Sequence, residues 1–129
     1  MRKVTAAAND PARNVWLALG LPHAEEHFLK AQLVLRLDRT ITRLRLTQAQ
    51  TALRIGATQP ELSKILRGKF SEVSLERLMR FLSALGHRVE IKVGNPRRGR
   101  KGEVIVNAPG VNWIPKASYA RRAPTRTRP

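Results

Sequence analysis

Apolar residues recur along this chain with two different periods, and the change between them divides it. In residues 25–45, Leu33, Val34, Leu37, Ile41 and Leu44 fall at three- and four-residue steps, with Arg36, Arg39, Arg43 and Arg45 between them. That spacing predicts one long helix with a core-facing stripe and a basic outer face. It opens on Glu25 and Glu26 and closes on arginine, the order the helix dipole favours. A second stripe, Leu75, Leu78, Met79, Leu82 and Leu85, is capped by Ser74 and stopped by Gly86. Ahead of both, Val15-Trp16-Leu17-Ala18-Leu19 predicts a short apolar turn packed on the core, ended by Gly20 and Pro22.

After Gly86 the period drops to two. Arg88-Val89-Glu90-Ile91-Lys92-Val93 alternates polar and apolar as a half-buried strand does. One strand is not stable in water, so a mate is expected. Either residues 103–106 fold back onto it across the loop of residues 94–102, or the same strand of a second subunit pairs with it about a two-fold axis; both can hold at once. A helical core of about sixty residues buries only about 60% of its unfolded surface, so dimerisation would also enlarge it. A homodimer is expected.

Between the two stripes lie two short helical patterns, residues 48–55 and 59–67, on either side of Gly56. Counting from Gln48, a small residue falls fifth (Ala52), an apolar one eighth (Ile55), glycine ninth (Gly56), and apolar ones fifteenth and eighteenth (Leu62 and Ile65). Two helices crossing steeply through a short turn need a small side chain at closest approach and apolar ones around it. Glycine takes the left-handed backbone of the turn without a steric penalty. Thr58 is placed to cap the next helix, and Pro60 falls in its first turn, where the missing N–H costs nothing. The pattern predicts a helix-turn-helix.

Residues 46–68, opening Thr47-Gln48-Ala49 and closing Arg67-Gly68, resemble the DNA-binding motif of the lambda-repressor-like (XRE) family. The likeness continues through Gly20-Leu21-Pro22, Ser74-Leu75-Glu76-Arg77-Leu78, Ala84-Leu85-Gly86 and Val89-Glu90-Ile91, which resemble a small XRE branch of HigA-like antitoxins, and it covers roughly residues 15–93. Thr51 departs from the motif, where an apolar residue is usual. The resemblance implies an all-α fold, a lambda-repressor-like domain of four to five helices, here with a short C-terminal strand or hairpin. It implies a repressor that is also the antitoxin of a type II toxin-antitoxin pair, with a RelE/HigB-type ribonuclease toxin as partner and double-stranded operator DNA as target.

Charge agrees with a polyanionic partner. The 129 residues carry a net charge of +16, half of it in residues 96–129, and the chain is expected to divide into a flexible N-terminal lead (1–14), a domain (15–93) and a basic extension (94–129), largely disordered beyond a possible second strand at 103–106. The absence of cysteine excludes disulfide scaffolds, thiol nucleophiles and Cys-based zinc sites. His23, His27 and His87 lack an acidic cluster to make a metal site, Glu25 and Glu26 point to different sides of a helix, and no phosphate-cradling glycine loop occurs. Neither an enzyme nor a cofactor is expected, and with no apolar run long enough to span a bilayer the expected location is the cytoplasm, on the nucleoid.

If the helix after Gly56 enters the major groove, its first residues face base edges. Gln59 leads, because a carboxamide can pair with adenine N6 and N7. Thr58, Glu61, Ser63 and Lys64 complete the expected base-contacting set. Thr47 and Gln48, at the free N–H groups that begin the preceding helix, and Arg54, Arg67 and Lys69 form the expected phosphate-contacting set. The arginines from Arg97 to Arg128 would add affinity and salt dependence without reading sequence. The competing reading is a basic RNA- or nucleoid-associated protein that binds nucleic acid without sequence preference, with the helical core as scaffold.

Overall fold

In the computed structural model, which describes residues 3–7, 14–99 and 101–109, the long basic-faced helix forms as α2 over Ala24–Leu44, after a short α1, Val15–Ala18. It is followed by α3 (Gln48–Ile55), α4 (Gln59–Leu66) and α5 (Leu75–Ala84). A strand β1 (Lys3–Ala7) precedes the helices and β2 (Ile105–Pro109) follows them. Among the described residues no helix is long and apolar enough to cross a membrane.

The main core joins α2 to the three helices after it. Val34, Leu37 and Ile41 from α2 meet Ala52 and Ile55 from α3, Leu62, Ile65 and Leu66 from α4, and Leu78, Phe81 and Leu82 from α5. Leu44, assigned to the buried stripe by its spacing, is instead 43% exposed, because α2 ends there. Arg45 turns left-handed (φ 56°), and Leu46 N–H bonds back to Ile41 O at 3.1 Å.

A smaller cluster lies at the other end of α2, where Trp16 packs with Ala24, Phe28 and Leu29. Asn14 holds it together: Oδ1 accepts from Leu17 N–H at 3.1 Å, and Nδ2 donates to Ala24 O at 3.0 Å. The expected lead of residues 1–14 is thus corrected at both described parts, since Asn14 is a buried cap and Lys3–Ala7 is a strand. Lys30, also unforeseen, is buried; its Nζ donates to Ser71 O at 2.7 Å and meets Glu26 at 3.0 Å, tying α2 to the α4–α5 connection.

The strands are rearranged relative to expectation. β1 and β2 pair antiparallel, from Lys3 opposite Pro109 to Ala7 opposite Ile105. Residues 88–93 form no strand, and the expected strand at 103–106 is displaced to Ile105–Pro109 with a different mate. Packing accounts for the change: Val106 rests against the Trp16–Phe28 cluster, which brings β2 beside the N-terminal segment. Pairing with 88–93 is then left unmade, and Val89, Ile91 and Val93 stay exposed. Residues 110–129, most of the expected disordered tail, lie outside the described residues.

His87 fastens the chain after α5 to α2. Thr40 Oγ1 donates to Arg36 O at 2.8 Å, so its contact of 2.6 Å with His87 Nε2 has the imidazole N–H as donor. Burial, and then the Arg36 and Arg43 guanidinium groups, hold His87 below the ordinary imidazole value of 6.5. The unfolded chain therefore takes up this proton first, so stability is complete above about pH 6.5 and falls as pH drops from there toward the folded value. Urea midpoints measured across that window are expected to fall for the wild type and to stay flatter for His87→Gln. Glu26, held below 4.5 chiefly by its hydrogen bond from Lys30, adds its own loss only at lower pH.

Candidate nucleic-acid interface

The two helices around Gly56 have well-made ends. Thr47 caps α3, its Oγ1 accepting from Gln50 N–H at 3.0 Å, while Gln50 Oε1 accepts from Thr47 N–H at 2.9 Å. Two of the free N–H groups of that helix start are satisfied reciprocally. Gln50 was not singled out by sequence, although a Gln three residues after a Thr cap is the signal for it. Gly56 adopts φ 75° and ψ 31°, and the turn closes through Ala57 N–H to Ala52 O at 3.0 Å. Thr58 then caps α4, accepting from Glu61 N–H at 3.2 Å, with Pro60 in the first turn.

The departure at Thr51 is accommodated inside the fold. Its side chain is fully buried, and Oγ1 donates to Thr47 O at 2.8 Å, so no hydroxyl is left unsatisfied in the core.

Helix geometry fixes what α4 presents outward. Leu62, Ile65 and Leu66 are buried, and at about 100° per residue Pro60, Ser63, Lys64 and Arg67 fall on the opposite side. Thr58 and Gln59 are exposed at the leading end, Lys64 and Arg67 are exposed, and Ser63 is half-buried. Thr47, Arg54 and Lys69 are exposed and Gln48 half-buried, so the ten expected residues all gather on α3, α4 and the turns that bound them.

Glu61 stands apart from the rest. Arg77 of α5 donates to its Oε1 at 2.9 Å, and the same guanidinium lies 5.2 Å from the centre of the Phe81 ring. The pair turns the carboxylate toward α5 and neutralises the one acidic side chain in residues 47–69, where Arg54, Lys64, Arg67 and Lys69 are the cations. Arg77 was missed in the sequence because its role depends on a contact sixteen positions away. Among the described residues no group of His, Asp or Glu side chains is arranged to hold a metal ion. His27 is instead sandwiched, 4.6 Å from the Trp16 ring and 4.8 Å from that of Phe70.

Residues 17–94 match the family model described as a helix-turn-helix domain. A solved structure described as "Putative XRE Family Transcriptional Regulator" is 36% identical and superposes with a TM-score of 0.57, over 73% of this chain and 99% of that one. No curated protein matches the chain.

Proposed function

The chain belongs to the XRE helix-turn-helix family, and from that premise we propose that it is a sequence-specific DNA-binding transcriptional regulator. It acts as a repressor, reading a two-fold-related operator through the major groove as a homodimer. The observation that carries this reading is α4, seated by Leu62, Ile65 and Leu66 with Gln59 exposed at its leading turn and Lys64 and Arg67 on its outer side. Gln59, with Thr58, Ser63 and Lys64, reads base edges; Thr47, Gln48, Arg54, Arg67 and Lys69 hold phosphates. Glu61 contributes through Arg77, which keeps its charge from repelling the backbone.

Selection of bound sequences from a random duplex pool tests this. Enrichment of an inverted repeat with half-sites about 34 Å apart is expected. A pool that stays random, with equal affinity for every duplex, overturns it.

The resemblance to HigA-like proteins extends the proposal to an antitoxin role, in which the protein also binds a RelE/HigB-type toxin and represses the operon they share. A short toxin reading frame beside this coding sequence and co-purification of its product support that role; a solitary coding sequence counts against it. The alternative, nucleic-acid packaging without sequence preference, draws support from the net charge of +16 and would give the unenriched pool.

A further inference from the structure

Helices α2 and α5 run side by side in the same direction, since Leu75 packs against the cluster of Phe28 and Leu29 at one end and His87 Nε2 lies 2.6 Å from Thr40 Oγ1 at the other. Each turns one stripe into the slot between them. On α2 the stripe is Leu29, Leu33 and Arg36; on α5 it is Leu75, Met79 and Leu82, followed by His87. Both step by four residues and then three, which keeps them on one helix face. The slot holds about 950 Å³ and is edged by the exposed Val89 and Ile91. None of the ten residues placed on α3, α4 and their turns lines it.

The slot has a polarity. Its floor is apolar for about 10 Å along both helices, and then Arg36 and His87 come together at one end. Five Lys and Arg side chains line it against two Glu, and one of those, Glu90, is already met by Arg88 at 3.0 Å. Four of the five cations are exposed to water, whereas Arg36 is half-buried beside the apolar floor, where a charge is screened least. His87 titrates below its ordinary value through burial first and then through Arg36 and Arg43, so the field at that end is positive without a charge on the imidazole. A planar carboxylate matches the forked N–H donors of a guanidinium, and an alkyl chain matches the floor. We propose that this slot binds a medium-chain fatty carboxylate, its head group on Arg36 and its chain laid between Leu33 and Met79 toward Leu29 and Leu75.

In isothermal titration of the full-length protein, hexanoate, octanoate and decanoate are expected to bind one per chain, with affinity rising about four-fold for each added methylene. Octanol, a similar chain without the charge, should bind about ten-fold more weakly than octanoate. Arg36→Gln should weaken octanoate by about the same ten-fold and leave octanol unchanged, and Arg36→Lys should restore part of the loss. Met79 belongs to neither core cluster, so Met79→Glu keeps the fold while setting a carboxylate in the floor, and it should weaken both ligands. No uptake by the wild type, an affinity indifferent to chain length, or an equal loss of octanoate and octanol in Arg36→Gln overturns the proposal. So does octanoate binding that survives both Arg36→Gln and Met79→Glu, the mark of adsorption elsewhere on a chain of net charge +16. None of these outcomes bears on the operator reading, which is tested with DNA alone.

Discussion

Leu62→Ala is expected to destabilise the fold by about 2–5 kcal/mol, the range for deleting a large side chain that is fully enclosed. Leu62 is 0% exposed and sits where α4 meets the rest of the main core. Its loss opens a cavity directly beneath the outward-facing helix. In a domain of this size that cost corresponds to a fall of roughly 10 °C or more in the melting temperature. Thermal unfolding followed by circular dichroism measures it. Leu53→Ala supplies the contrast: Leu53 lies on α3 but is 85% exposed, so a change within about 0.5 kcal/mol is expected. A comparable loss at both positions would mean that α3 and α4 are not packed as described.

The second large effect is expected at Gln59, whose replacement by alanine should leave the fold alone and, on the proposed reading, change what the protein distinguishes. Losing one bidentate contact removes about 1–3 kcal/mol of discrimination, or roughly 5- to 150-fold, at a single base pair. The salt dependence of binding should hardly move, because no phosphate contact is lost. Removing residues 110–129 should do the opposite. That deletion takes away Lys116, Arg121, Arg122, Arg126 and Arg128, five cations, and is expected to lower the slope of log affinity against log salt by up to about 4.5 if all of them meet phosphates. It must begin after Pro109, since an earlier cut removes the mate of β1. Fluorescence anisotropy on matched operator and random duplexes, at several salt concentrations, separates the two effects. If Gln59→Ala changed neither quantity while the deletion abolished binding, the packaging reading would replace the repressor.

Much of this architecture was legible because it is local. Helix α3 begins at Gln48 and ends at Ile55 as its pattern predicts, since Thr47 and Gly56 mark its ends with residues whose chemistry suits those two positions and few others. The caps Thr58 and Ser74 were equally readable, each accepting from the backbone N–H three residues on. Errors came where the determining contact is distant in sequence. Residues 88–93 have the stronger alternation, yet the strand pair forms from Lys3–Ala7, whose alanines carry little strand preference, because Val106 finds its apolar seat beside α1 and α2. The tie from Lys30 to Ser71 spans forty-one positions, and that from Asn14 to Ala24 joins two elements. In the helix-turn-helix, the placement of the ten residues on α3, α4 and the turns that bound them followed from the motif, whereas the diversion of Glu61 toward Arg77 required knowing how α5 lies against α4.

The pairing of β1 with β2 also bears on how the chain is made. Lys3 to Ala7 leave the ribosome before helices α1 to α5, whereas their partners from Ile105 to Pro109 emerge only after those five helices have been synthesised. Closing a loop of about a hundred residues in a floppy chain carries an entropic penalty on the order of 4 kcal/mol from length alone, but the helices, once packed, have already brought its ends together. The strand made ahead of the helices is therefore fixed only after the helical body has folded.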